Sequence, residues 1–124
     1  MKEGNVILEK SMAFAVRIVK LYRYLNDEKR EYVMSKQLLR SGTSVGANAY
    51  EAVQGQSRND FLAKMGIALK EAYETQYWLE LLYRTEYLTS EQYESIAADH
   101  KEVIKILTKI VKNTKNADTA RIDL

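Results

Sequence analysis

Apolar residues recur every three or four positions along most of this chain, and that period predicts four amphipathic helices. The first spans about residues 6–25, where Ala15, Ile18, Tyr22 and Leu25 share a face flanked by Phe14 and Leu21. A charged run, Asn26-Asp27-Glu28-Lys29-Arg30, breaks the pattern. The second helix, about 32–54, carries Met34, Leu38, Val45, Ala49 and Ala52 on one side. Its middle, Ser41-Gly42-Thr43-Ser44-Val45-Gly46-Ala47-Asn48, is poor in helix propensity. The third, about 58–85, has the clearest seam: Phe61, Met65, Ala68, Ala72, Thr75, Leu79 and Leu82, alternately four and three apart. Leu62, Leu69, Tyr73 and Tyr83 widen that seam on one flank and Trp78 on the other. The fourth, about 90–115, repeats the pattern with Tyr93, Ile96, His100, Val103, Leu107 and Ile110. Residues 116–124 show no period and are expected to fray.

Punctuation agrees with the periods. Ser57 with Asp60, and Thr89 with Gln92, have the three-residue spacing of capping boxes at the starts of helices three and four. Short connections make successive helices antiparallel, so the expected fold is all-α, an up-down-up-down four-helix bundle in one domain, residues 1–124. Strand alternation and internal repeats are absent.

Composition narrows the chemistry. With 46% apolar and 29% charged residues, the chain reads as globular rather than disordered. It has no Pro, which permits uninterrupted helices, and no Cys, which excludes disulfides, thiolate nucleophiles and Cys-ligated metals. No apolar run is long enough to span a bilayer, and Glu3-Gly4-Asn5 interrupts any signal-peptide core. The expectation is a cytoplasmic protein with no membrane association.

Candidate functional residues are few. Ser41-Gly42-Thr43-Ser44-Val45-Gly46 lacks the spacing and preceding strand of a phosphate loop; small residues here instead let a neighbouring backbone come close. Gln37, Ser41, Ser44, Asn48 and Glu51, spaced 4-3-4-3, form a polar stripe with Arg40 beside it. Lys70, Glu71 and Glu74 are its expected partners, in a structural network or a subunit contact. Glu71-x-x-Glu74 and Glu91-x-x-Glu94 resemble the carboxylate pairs with which helical nucleotide pyrophosphohydrolases hold magnesium. However, Glu91 and Glu94 also suit the first turn of a helix on dipole grounds alone. His100, the sole histidine, lies on the apolar seam and has no Glu three residues before it, as a di-iron bundle would require. No metal or cofactor is expected.

Net charge is only +2, yet basic residues are unevenly placed: residues 1–64 carry 11 basic against 7 acidic side chains, and residues 65–124 carry 8 against 10. Lys101, Lys105, Lys109 and Lys112 line one side of helix four, with Lys115 beyond. They form either a solvated helix end or a phosphate-contacting stripe, and an oligomer would multiply a weak stripe. Nine Tyr and one Trp favour assembly, since such side chains bury area while keeping a polar tip, and helix three is apolar enough to face a second subunit.

Phe14-Ala15-Val16-Arg17-Ile18, Gln37-Leu38-Leu39-Arg40-Ser41-Gly42-Thr43-Ser44-Val45-Gly46-Ala47-Asn48, Glu51-Ala52, Ser57-Arg58, Phe61, Lys64, Ala68-Leu69-Lys70-Glu71-Ala72, Glu74-Thr75 and Tyr77-Trp78-Leu79 closely resemble the bacterial four helix bundle protein family. That family includes proteins encoded within intervening sequences of 23S ribosomal RNA genes, sometimes labelled S23 ribosomal proteins. The resemblance covers about Phe14 to Lys112. It implies an antiparallel four-helix bundle assembled into a ring-like homopentamer. More remotely, the chain is similar to the accessory variability proteins of diversity-generating retroelements, which are pentameric, basic and work with RNA; its near-neutral charge departs from that pattern. The expected function is therefore non-enzymatic: an oligomeric bundle binding RNA or a nucleoprotein partner. A magnesium-dependent pyrophosphohydrolase and a purely structural scaffold are the alternatives.

Overall fold

The first helix packs on the second and fourth, and the third packs on the same two, so the four run around a ring in chain order. In the computed structural model, which describes residues 2–123 and the side chains of residues 5–117, they are α1 (Lys2–Asp27), α2 (Met34–Gln54), α3 (Arg58–Arg84) and α4 (Ser90–Asp123). Cross-helix pairs fix the directions. Asn26 meets Ser35, Ser41 meets Thr75, Glu51 meets Lys64, Tyr83 meets Tyr93, and Lys10 meets Glu102. Along each neighbouring pair one number rises as the other falls, as with Ser41–Thr75 and Glu51–Lys64 across α2 and α3, or Lys10–Glu102 and Arg17–Asp99 across α1 and α4, which is antiparallel up-down-up-down packing. No strand occurs among the described residues.

The core follows the periodic seams. On α3, Met65, Ala68, Ala72, Thr75, Leu79 and Leu82 are buried; on α4, Ile96, His100, Val103, Leu107 and Ile110 are. Phe61 and Tyr93, at the ends of these two seams, are only half-buried. The α1 seam is turned from the expected one: Ile7, Phe14, Ile18 and Leu25 are buried with Ser11, while Ala15 and Tyr22 sit at its edge. Ser11 hides this seam in the sequence, and its burial costs little because its hydroxyl reaches the Leu8 carbonyl at 3.4 Å.

Caps explain the helix limits. Ser57 accepts the Asp60 N–H at 3.0 Å, and Thr89 and Gln92 exchange hydrogen bonds at 2.9 and 3.1 Å. Helix α2 starts at Met34, two residues later than expected, because the buried Glu31 carboxylate accepts the backbone N–H groups of Val33, Met34 and Ser35. At the end of α3, Glu86 adopts φ 70°, and the Tyr87 N–H bonds back to Leu82 at 2.9 Å, closing a Schellman-type turn. The tail expected to fray from Asn116 continues as helix to Asp123, since no Gly or Pro interrupts it. Leu124 lies outside the described residues. No described helix is long and apolar enough to cross a membrane.

The glycines of α2 set how closely α1 approaches. A Cβ on Gly42 would stand 2.8 Å from Cγ1 and Cγ2 of Ile18, and one on Gly46 would stand 3.3 Å from Ser11 Oγ. The Ser41–Gly46 segment is thus continuous helix, thinned where α1 crosses it.

Candidate nucleic-acid interface and the polar seam

Helices α2 and α3 meet along the polar stripe. Arg40 reaches Glu71 Oε2 at 3.0 Å with Nη1 and also holds Glu74 through Nη2. The Trp78 indole N–H donates to the same Glu74 oxygen at 3.1 Å. Trp78, then Arg40, holds the Glu74 carboxyl below its ordinary range, and Arg40 is correspondingly raised, chiefly by Glu74. One turn inward, the Ser41 and Thr75 hydroxyls lie 3.0 Å apart, and Thr75 donates to the Glu71 carbonyl at 2.8 Å. Gln37 Oε1 lies 3.5 Å from Arg40 Nε, Glu51 pairs with Lys64 at 3.4 Å, and Asn48 bonds within α2 to both oxygens of Ser44. Lys70 is exposed and makes no hydrogen bond in this network, adding only its charge near Glu74.

The paired glutamates do not converge. Glu71 and Glu74 are held by Arg40 on the α2–α3 seam, whereas Glu91 lines a groove between α1 and α4, and Glu94 is exposed. No cluster of three or more metal-ligating side chains occurs among the described residues. The two carboxylate pairs therefore cannot close on one magnesium–phosphate centre in this bundle.

Lys101, Lys105, Lys109 and Lys112 are all exposed. At 100° per residue they fall within a narrow arc opposite the buried Ile96, Val103 and Leu107, so they share the outward face of α4. None forms an ion pair among the described residues. Lys10, Arg17, Arg40, Lys64 and Arg84 each hold a carboxylate, whereas Lys20, Arg23, Lys29, Arg30, Lys36 and Lys70 resemble the α4 lysines in forming no ion pair among the described residues; what sets the α4 group apart is its alignment on one face. The lysine face spans about 17 Å at 1.5 Å per residue.

Two concavities flank α4. The groove toward α1, 710 Å³, is lined by Arg17, Lys20, Tyr24, Glu91, Gln92 and Ser95. Its Arg17 is already engaged, by Asp99 at 2.6 Å and by the carbonyl and hydroxyl of Ser95. The cavity toward α3, 280 Å³, is lined by Tyr73, Gln76, Tyr93, His100, Lys101 and Ile104, among others. His100 is 5% exposed and donates from Nε2 to the Ala72 carbonyl at 2.7 Å, with the Phe14 ring 5.7 Å away. Burial pushes its pKa down, partly offset by that hydrogen bond.

Sequence reasoning missed the Glu31 cap, the Arg17 clamp on α4 and the α3–α4 cavity. Only the first carried a local signal, an acid just before the second helix. The others depend on residues brought together from distant parts of the chain.

Fold and site together describe a small helical bundle whose polar contacts join helices and whose α4 presents an outward row of four lysines. The chain belongs to the 23S rRNA-intervening sequence protein family, whose sequence profile matches residues 3–109. It is also similar to a crystal structure of a protein of unknown function from the S23 ribosomal protein family of Bacteroides thetaiotaomicron. The two are 63% identical with a TM-score of 0.87, over 89% of this chain and 98% of the other. Among curated proteins none matches.

Proposed function

We propose that this protein is a non-enzymatic, self-assembling bundle that binds RNA through the outward face of α4. The observation that carries this reading is the run of four exposed lysines, Lys101, Lys105, Lys109 and Lys112, which no carboxylate neutralises among the described residues. The family's connection with 23S rRNA intervening sequences favours RNA as the polyanion. One stripe on a chain of net charge +2 is weak, so assembly supplies the avidity. Large apolar side chains exposed on two diagonal helices, Met12 and Val16 on α1 and Ile67 and Tyr77 on α3, provide surface for that assembly. The lysines contact phosphates; Arg40, Ser41 and Glu51 reach α3 and order the α2–α3 seam, while Gln37, Ser44 and Asn48 bond within α2 beside it.

Fluorescence anisotropy with labelled single-stranded RNA, titrated across salt concentrations, tests this. Affinity falls steeply with salt, and in the variant combining Lys101→Gln, Lys105→Gln, Lys109→Gln and Lys112→Gln the log–log slope shrinks by roughly 0.7 for each lysine engaged. Salt-independent affinity, or no binding at low salt, removes the reading.

A further inference from the structure

Beside the lysine face lies the α3–α4 cavity, whose lining includes a tyrosine on each wall, the sole histidine and the first lysine of the stripe. Tyr73 is 53% exposed at its rim, a flat aromatic face left open to solvent. Tyr93, on the opposite wall, is fixed by a parallel stack on Tyr83, with centroids 4.5 Å apart and planes 9° from parallel. Lys101, the first lysine of the stripe, also lines this cavity, so one ammonium belongs to both features. Gln76 contributes an amide that has no partner among the described residues.

His100 adds a directional group. It is 95% buried, and Nε2 is committed to the Ala72 carbonyl at 2.7 Å. A carbonyl can only accept, so Nε2 carries the proton and the neutral ring leaves Nδ1 as an acceptor. Nδ1 has no partner among the described residues, and no enclosed side-chain nitrogen or oxygen among them goes unsatisfied, so this nitrogen keeps some access, on a residue that lines the cavity. An aromatic rim, an amide, a fixed acceptor and an ammonium at the edge make a set that recognises a planar heterocycle bearing hydrogen-bond donors and an attached anion. At 280 Å³ the cavity has room for one such ring system.

We propose that the α3–α4 cavity receives one unstacked nucleobase of a single-stranded RNA whose phosphates run along Lys101, Lys105, Lys109 and Lys112. Base stacking on a tyrosine and a basic track for the backbone is a general solution for single-stranded nucleic acid, and a paired base cannot reach such a cavity. The α1–α4 groove also offers Lys20 and Tyr24, but its Arg17 is held by Asp99 and Ser95, its lining includes the carboxylate of Glu91, and it does not share a lysine with the stripe. The inference rests on the RNA-binding reading above and adds which form of RNA binds and where a base goes.

The test compares a short adenine homopolymer with a blunt RNA duplex of equal length, alongside adenosine monophosphate. Tyr73→Ala weakens single-strand binding about tenfold and leaves duplex binding unchanged, whereas Tyr73→Phe retains wild-type affinity. Because His100 is the only histidine, its imidazole proton resonances report occupancy directly, and they shift on titration with adenosine monophosphate. Unchanged single-strand affinity in Tyr73→Ala, with binding lost in the four-lysine variant, overturns the base site and leaves the lysine face standing. Equal losses for single strand and duplex in Tyr73→Ala overturn it too, as a structural effect. If no RNA binds at low salt, the lysine reading fails, and a silent His100 signal at saturating adenosine monophosphate then rejects the cavity on its own evidence.

Discussion

A methyl group added at Gly42 meets Cγ1 and Cγ2 of Ile18 at 2.8 Å. Ile18 is fully buried and β-branched, so those carbons cannot swing aside, and overpacking of this kind costs about 1–3 kcal/mol. Against it stands the helix-propensity gain of roughly 1 kcal/mol for Gly to Ala. Gly66, on α3, offers the opposite case, since a Cβ there meets nothing within 4 Å. Chemical denaturation should therefore separate two identical substitutions. Gly66→Ala raises stability by about 0.5–1 kcal/mol, whereas Gly42→Ala lowers it by about 1–2 kcal/mol. If Gly42→Ala were neutral, the α1–α2 distance would be set by something other than the missing side chain. The same comparison explains why a segment of weak propensity is helical: the residues that weaken it locally are those that let α1 pack closely.

Between elements, α4 is fastened to α3 by His100 as well as by apolar contact. Its pKa is held below the ordinary 6.5, first by burial, and the Ala72 carbonyl opposes that shift without reversing it. The unfolded chain thus binds a proton that the folded chain refuses, and stability rises with pH across that interval. The contribution is complete above about 6.5 and is lost as pH falls from there through the depressed native value. The charged groups facing the ring do not soften this effect: Lys101 adds a positive charge to the cavity and no carboxylate lines it. Urea titrations between pH 5 and 7.5 should show a slope of at most about 1.4 kcal/mol per pH unit that His100→Gln abolishes. A slope unchanged in that variant would assign it to other groups. His100 also marks what the sequence can and cannot reveal. Its place on the α4 seam is legible because burial follows the 4-3 spacing, as it does for Met65 through Leu82 on α3. The Arg40 contacts with Glu71 and Glu74 were similarly within reach, since two antiparallel helices bring one face of each into register. The α1 seam is hidden because a serine occupies it, and α4 outruns its apolar period because periodicity records packing whereas helices end at breakers. Arg17 with Asp99, and Tyr73 with Lys101, depend on how distant helices are set side by side, which no local pattern encodes.

At the scale of the whole molecule, diagonal placement decides what kind of assembly the exposed α1 and α3 groups can build, with Tyr32, Val33 and Tyr50 exposed elsewhere on the bundle. Helices α1 and α3 are diagonal, their backbones held apart by α2 and α4. Met12 and Val16 therefore lie on the opposite side of the bundle from Ile67 and Tyr77. Two unlike patches on opposite sides suit a head-to-tail contact, and such contacts close into rings when the rotation between copies permits. The proposed ring of five, which the family resemblance implies, would present every α4 lysine face in the same orientation, giving RNA a repeated track. This arrangement has a consequence that a two-fold contact lacks. Val16→Glu removes the α1 patch and leaves the α3 patch intact; Tyr77→Glu does the reverse. By light scattering, each variant alone has the mass of one chain, while an equal mixture reaches the mass of two and stops, because one good interface forms and the ring cannot propagate. In a two-fold contact through α1 alone, Tyr77→Glu would keep the wild-type mass, and that result would exclude the head-to-tail ring. A wild-type chain that stays at the mass of one copy at every concentration would exclude assembly itself, and with it the avidity on which a four-lysine stripe depends.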